Sequence, residues 1–231
     1  MKYNGNEVLN VMSKYATNRN NAIFSQIYKT FKLTSLLKQK TILEFGAGKG
    51  EFIDRFLNIK NLTTFALEID KTYLKILRKK HKIFSNINRI PKKVDYIFAI
   101  DVLEHIANDQ KCLNQLFQIL KENGRLFIYV PAGPMLYSAF DKNIGHCRRY
   151  RLGELVSKVT KAGFSVKKAS YHDFLGYFAA FFNKLTSRGN LNSLAVHIYD
   201  KYFFPLSLFL ERLFPCPFGK SIILVAQKPS A

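Results

Sequence analysis

Three glycines, Gly46, Gly48 and Gly50, follow directly on the apolar run Ile42, Leu43 and Phe45. The run is short and rich in strand formers, and the glycines break it abruptly. Beyond them Phe52, Ile53, Phe56 and Leu57 recur at helical spacing. A buried strand, a tight turn and a helix open a βαβ unit, which commits the chain to a layered α/β fold. Glycines at such a turn let backbone approach a ligand with no Cβ in the way, and the helix start offers unpaired N–H groups. A nucleotide-like cofactor is the expected ligand.

Two details narrow it. A dinucleotide turn carries its third glycine where Glu51 stands here, and Glu44 and Glu51 flank the cradle a pyrophosphate would need. An acidic residue just before the turn suits a ligand with an ammonium or sulfonium group. The run Leu43, Glu44, Phe45, Gly46, Ala47, Gly48, Lys49, Gly50 resembles the first motif of class I S-adenosylmethionine-dependent methyltransferases. The resemblance extends over nearly the whole chain. It implies a Rossmann-like α/β domain with a mostly parallel seven-stranded sheet whose last strand is antiparallel. It also implies S-adenosyl-L-methionine as cofactor, with the turn residues Gly46, Ala47, Gly48 and Gly50 against its methionine part and Glu44 or Asp101 near its ammonium.

The 231 residues suit one well-cored domain. Its expected parts are a helical lead over 1–40, a cofactor-binding core over 41–171, a helical insertion over 172–219, and a final strand and tail over 220–231. Lys+Arg 36 against Asp+Glu 16 gives a net charge of +20. That balance favours polyanions such as nucleic acid, phosphorylated substrates or an anionic membrane, and equally describes a solvated lysine-rich surface. Cys112, Cys147 and Cys216 stand far apart with no C-x-x-C, which argues against a disulfide framework or a zinc site. No metal is expected, and a reducing cytoplasm fits. No apolar run approaches the roughly 18 residues of a spanning helix.

In the lead, Ile23, Phe24, Ile27, Tyr28, Phe31, Leu36 and Leu37 form a mostly helical stripe. A leading helix of this kind is expected over the cleft or the sheet, with Tyr15, Arg19 and Asn21 as ordinary surface residues, the alternative being that they face the cleft. The second strand, Leu62–Leu67, ends in Glu68, Ile69 and Asp70 about twenty residues past the turn. There an acidic side chain can accept both ribose hydroxyls of an adenosine. Glu68 takes that role, Ile69 lines the adenine, and Asp70 caps a helix over 71–80. From Lys71 to Lys93 there are nine Lys/Arg and no acid. They read as a solvated helix face and a lysine-protected edge strand, or as an RNA or membrane patch. Asn86 stands where the family often has an Asp on the adenine amino group, and its side-chain oxygen can accept the same bond.

Val94–Ile100 is the fourth strand, and Asp101, Val102, Leu103, Glu104 and His105 follow it. Val-Leu-Glu-His after strand four is common in small-molecule methyltransferases, whereas the Asn-Pro-Pro-Tyr type of motif that marks amino-directed methylation is absent. Arg125 to Pro131 reads as strand five, preceded by a helix-to-strand turn in which Gly124 is expected to be left-handed. The loop beyond gathers Asp141, His146, Arg148, Arg149 and Tyr150 within ten residues. A histidine supplies a neutral-pH base, and paired arginines suit phosphate or carboxylate. The alternative is a salt-bridged loop with Asp141 paired to an arginine. The pattern Asp…Gly-His-x-Arg-Arg-Tyr resembles a bacterial and archaeal methyltransferase subgroup linked with polyprenyl-lipid and glycan pathways. From the chemistry of this loop, Asp141, Arg148, Arg149 and Tyr150 are expected to contact the acceptor. His146, with His105 second, takes its proton.

Strand six covers 164–171 and strand seven Ser221–Gln227, with about 50 residues between them where the family has a short hairpin. Asp173 caps a helix bearing Phe174, Tyr177, Phe178, Phe181 and Leu185. A second run carries Tyr199, Tyr202, Phe203, Leu206, Phe209, Leu210 and Leu213, with Pro205 kinking or restarting it. Two helices packed on the domain or on a second subunit are one reading. An apolar lid or interfacial hairpin for a lipid tail, peripheral to the inner face of a membrane, is the other. The expected function is methyl transfer to an oxygen of a small-molecule, glycan or lipid-linked acceptor. A non-catalytic cofactor-binding or membrane-peripheral module and an RNA methyltransferase are the alternatives.

Overall fold

The computed structural model describes residues 5–33, 38–91, 93–186, 189 and 191–230. Two helices, α1 (Gly5–Tyr15) and α2 (Thr17–Phe31), lead into β1 (Lys40–Phe45). There follow β2 (Leu62–Leu67), α3 (Lys71–Leu77), β3 (Lys82–Phe84), β4 (Val94–Ile100) and α4 (Asp109–Ile119). Then come β5 (Leu120–Pro131), α5 (Ala139–Asn143), α6 (Leu152–Lys161) and β6 (Ser165–His172). The insertion holds α7 (Phe174–Thr186), α8 (Ser193–Ile198), a π-helical turn (Tyr199–Phe203) and α9 (Phe204–Leu213), and β7 (Ser221–Gln227) closes the chain. Leu36, Leu37, Lys92 and Arg188 lie outside the described residues.

The sheet has seven strands in the order β3-β2-β1-β4-β5-β7-β6. All neighbours are parallel up to β5, and β7 slots antiparallel between β5 and β6. Successive strand residues point to opposite faces, so an uncharged strand feeds two cores. Leu43, Ile97, Leu126 and Ile128 pack on one face with Leu113, Leu116 and Leu155. Ile42, Phe98, Phe127 and Tyr129 pack on the other with Ile23, Ile27 and Phe31 of α2. The lead helix is thus held by the stripe read in its sequence. A device the sequence did not disclose holds it too. Asp200 of the π-helical turn caps it, its carboxylate accepting from Asn18 N at 2.8 Å and Arg19 N at 2.9 Å.

Three local expectations change. The helix after the glycine turn is one 3₁₀ turn, Ile53–Phe56. Phe52, Ile53 and Phe56 face the core as the spacing has it while Leu57 is exposed, and i→i+3 bonds such as Arg55 N to Phe52 O coil the backbone more tightly. At the α4–β5 junction Asn123 is left-handed (φ 60°), not Gly124, and β5 starts at Leu120. Gly124 is needed for space, since a Cβ there would lie 2.7 Å from Lys121 O. Arg19 is not a surface residue: its guanidinium stacks over Tyr129 at 4.8 Å and pairs with Asp101.

Candidate active site

The carboxyl ends of β1, β2, β4 and β5 share one edge of the sheet, where open α/β sheets bind their ligands. At β1 the glycine turn is tied to its neighbour: Gly46 N and Ala47 N both donate to Leu67 O, at 2.9 and 3.0 Å. Gly46, Gly48 and Gly50 all take positive φ (78°, 51° and 89°), a region that other residues enter only under strain. Their surroundings differ. A Cβ on Gly46 would lie 2.4 Å from Val102 Cγ2, so this glycine lets the turn pack against the segment after β4. A Cβ on Gly48 would meet nothing nearer than Leu9 Cδ1 at 3.8 Å. Gly48 is therefore the open face of the turn, and α1 roofs it. Asn6 of α1 accepts from Tyr73 Oη at 2.7 Å, Asn10 pairs with Lys49, and Ser13 Oγ donates to Glu51 at 2.6 Å.

Glu68, at the end of β2, accepts from Gly48 N (2.7 Å), Ile69 N (2.7 Å) and Asp70 N (2.9 Å). An ionised carboxylate has about four acceptor sites. Three backbone donors fix this one beside the turn and leave one site on Oε2. Next to it Ile69 is 79% exposed, an apolar surface at the mouth of the cleft. Asp70 caps α3, accepting from Thr72 N at 2.7 Å. Asp101 is left-handed (φ 52°) and holds Arg19.

Two of the expected cofactor contacts are placed differently. Glu44 is buried beneath the turn and accepts from Ile53 N at 2.9 Å. Burial drives its carboxyl well above the usual range against that bond, and the side chain supports the turn from below. Asn86 uses its side-chain oxygen to cap its own turn, accepting from Asn88 N at 2.9 Å.

The acceptor end is made of side chains. Cys147 N donates to Glu104 O at 2.7 Å, which ties the loop after β5 to the turn after β4. The rings of His105 and His146 meet edge to face at 4.7 Å. Asp141 is fully buried. It accepts from Ser138 N (2.9 Å) and Arg149 Nε (2.8 Å), and its Oδ1 faces His146 Nδ1 at 2.7 Å. Burial alone would raise this carboxyl, but the His146 bond and the Arg149 charge outweigh it and hold it below the usual range. Asp109 is a second anchor, bonded to Arg148 (2.7 Å), Lys158 (2.9 Å) and Tyr150 Oη (2.9 Å).

These networks correct the expected acceptor contacts. Asp141 and Tyr150 are fully buried, Arg149 nearly so, and Arg148 also donates to the carbonyls of Ile106 and Ala107. All four hold the loop, as the salt-bridged alternative had it. Against this loop the rings of His105 and His146 meet, with Glu104 Oε1 3.6 Å from His146 Nε2. Glu104 is fully buried with no hydrogen bond to either oxygen. The sequence marked it only as part of the Val-Leu-Glu-His run and gave it no role. A cavity lined by Val8, Val11, Phe140, Ile144 and Leu191 opens between α1 and this loop. A larger hollow is lined by insertion residues between Ala179 and Ala195, Leu191 being common to both.

Seven strands in this order with a glycine turn after β1 and an acidic end to β2 define a Rossmann-like methyltransferase scaffold. A family model described as a methyltransferase domain matches residues 15–169, more than half of the chain, and the chain belongs to that family. No curated protein matches the sequence. Among solved structures it is similar to phosphoethanolamine N-methyltransferase 2 of Haemonchus contortus, in complex with phosphomonomethylethanolamine and S-adenosylhomocysteine. The TM-score is 0.61 at 15% identity, over 92% of this chain and 53% of that one. It is also similar to a cyclopropane synthase of Mycobacterium tuberculosis (TM-score 0.56, 13% identity, 88% of this chain and 82% of that one). A third is a mycolic acid cyclopropane synthase complexed with S-adenosylhomocysteine (TM-score 0.60, 14% identity, 88% and 83%). At these identities the likeness is one of fold.

Proposed function

We propose that this methyltransferase uses S-adenosyl-L-methionine to methylate an oxygen of a small-molecule, glycan or lipid-linked acceptor. The observation that carries the reading is the arrangement along one sheet edge. The open backbone at Gly48 and the anchored Glu68 carboxylate stand at β1 and β2, and the His105–His146 pair stands past β4 and β5. The cofactor fits the first pair: Glu68 has an acceptor site left for ribose, Ile69 offers an apolar face for a base, and Asp101 a carboxylate for an ammonium. Once bound, the cofactor supplies an electrophilic methyl group on sulfur. The chain's own task is alignment, worth up to about 7–11 kcal/mol in favourable cases. α1 covers the turn against water, and proton removal from the acceptor falls to the cluster around His146, with His105 beside it.

The lipid-linked form of the acceptor rests on the insertion. Phe178, Phe181, Phe203 and Phe209 are 51%, 44%, 49% and 54% exposed, so they are surface and not core. Lys201 and Arg212 stand exposed among them. Apolar area flanked by cations suits an anionic membrane surface, each nearby cation adding about 1 kcal/mol. Among the described residues no helix is long and apolar enough to cross a membrane, so the contact is peripheral. Solved relatives that bind phosphomonomethylethanolamine or are named for mycolic acid support an acceptor of this general kind.

The test is a screen of lipid, metabolite and RNA fractions with methyl-labelled cofactor. Label should enter a lipid or small-molecule fraction. His146→Ala should lower that transfer about a hundredfold or more while S-adenosylhomocysteine affinity stays within about twofold. Label in RNA would move the acceptor class, and no transfer to any fraction would leave a cofactor-binding module. Anionic liposomes should bind the protein at low salt and lose it when the four phenylalanines become serine. A wild type that ignores liposomes and elutes as a dimer would assign the aromatic face to a second subunit.

A further inference from the structure

Glu104, His105 and His146 place one ligand-type atom each within 4.8 Å of one another. Two come from the turn after β4 and one from the loop after β5, so only the folded chain assembles them. The ring nitrogens are already sorted. His146 Nδ1 faces Asp141 Oδ1 at 2.7 Å, and His105 Nδ1 faces Gly145 O at 3.2 Å. A carboxylate or carbonyl oxygen only accepts, so both Nδ1 atoms carry the hydrogen and Nε2 is the nitrogen each ring can offer to a ligand. A carboxylate or carbonyl behind each imidazole is how metal-ligating histidines are usually held.

Glu104 supplies the independent observation. It is fully buried, and neither oxygen has a hydrogen-bond partner among the described residues. Its Oε1 lies 3.6 Å from His146 Nε2, too far for a hydrogen bond. Burying a carboxylate unsatisfied is costly, and such a group calls for a proton or a cation. Arg19 and Arg149 act on it through space, yet neither hydrogen-bonds to it.

We propose that Glu104, His105 and His146 bind one divalent cation. Two imidazoles and a carboxylate suit a borderline ion of the zinc, iron(II), cobalt(II) or manganese(II) kind. Ligand atoms around such an ion stand about 3–3.5 Å apart, so the trio draws in by roughly an ångström, and His105, at the partly exposed rim, has room to turn. Resting on the methyltransferase reading, the cation has a task. It binds the acceptor hydroxyl and acidifies it. The proton passes to solvent, the oxygen bonds to the methyl carbon, and the carbon–sulfur bond breaks to give S-adenosylhomocysteine. His146 is then a ligand, and its proton-removing role is exercised through the ion.

The test uses tag-free full-length protein freed of metal with a chelator, titrated calorimetrically with zinc and, for its visible absorption, with cobalt(II). One equivalent should bind saturably. Glu104→Gln and His105→Ala should each weaken it at least about tenfold while S-adenosylhomocysteine binds as in wild type. His105, at the rim, is the variant least able to disturb the fold. No saturable uptake by wild type, or variants that bind as wild type does, overturns the site. Cation binding without any methyl transfer keeps the site and removes the methyltransferase reading. Transfer unchanged by chelation, yet lost in His146→Ala, overturns the cation and leaves His146 as a direct base.

Discussion

At the cofactor end the working groups are backbone: Gly46 N and Ala47 N on Leu67 O, Gly48 N on Glu68, all within a strand, a turn and the next strand. At the acceptor end they are side chains that meet from afar. His146 leans on Asp141, Asp141 on Arg149, and Asp109 gathers Arg148, Tyr150 and Lys158. A backbone-built site depends on φ and on small residues, which are local properties. A site built from buried charges depends on every partner being present, because removing one leaves another uncompensated in low dielectric.

That contrast predicts unequal fragility. Asp141→Ala strands the Arg149 guanidinium and the His146 Nδ1–H in the interior. It should cost about 3–5 kcal/mol of unfolding free energy, the range for breaking a buried pair, read from urea titrations. A loss below about 1 kcal/mol would mean that the loop is not held by this carboxylate.

The side of the molecule beneath the insertion should respond to pH. His172 stacks on Phe204 at 5.8 Å, and burial pushes its pKa from 6.5 down to about 4, while neighbouring Asp173 raises it and Arg19 and Lys168 lower it. Its Nδ1 has no hydrogen bond and lies 3.6 Å from Glu211. The folded state therefore binds this proton less readily than the unfolded state. Stability from this group is fully present above pH 6.5 and is lost as pH falls toward 4. Between pH 7 and 5 it should account for about 2 kcal/mol. His172→Phe, which keeps the stack and removes the titration, should flatten the profile by that amount. An unchanged profile would place the pH dependence elsewhere.

The smallest effect belongs to the glycine turn. Gly48→Ala meets only ordinary contact with Leu9 at 3.8 Å, so only its positive φ counts against it, about 1 kcal/mol. Gly46→Ala adds overlap with Val102 and should cost more in the same thermal or chemical melts. Equal losses would mean that the two glycines serve the same end.

What could be read from the sequence divides along the same line. Uncharged runs such as 96–100 and 221–227 specify strands buried on both faces, and the acid about twenty residues past the glycines marks Glu68. Asp173 was legible as a cap, and Gly176 N donates to it at 3.1 Å. Gly124 misled because glycine serves close packing as well as left-handed turns. Arg19 misled because its partner Asp101 lies far along the chain. The arginines of the loop look like anion binders until Asp109 and Asp141 are seen beside them. Glu104 was legible only as a member of the Val-Leu-Glu-His run, since its burial and its lack of a partner exist only once the loop after β5 folds over it.

The central claim is that the turn and Glu68 hold the cofactor of a methyltransferase, and calorimetric titration of purified protein addresses it most directly. S-adenosylhomocysteine should bind saturably with one site per chain, and NAD should give no such binding. Glu68→Ala should weaken binding by roughly 1.5–3 kcal/mol, about ten- to a hundredfold in Kd. No saturable heat with S-adenosylhomocysteine, or the same Kd for wild type and Glu68→Ala, would contradict the account.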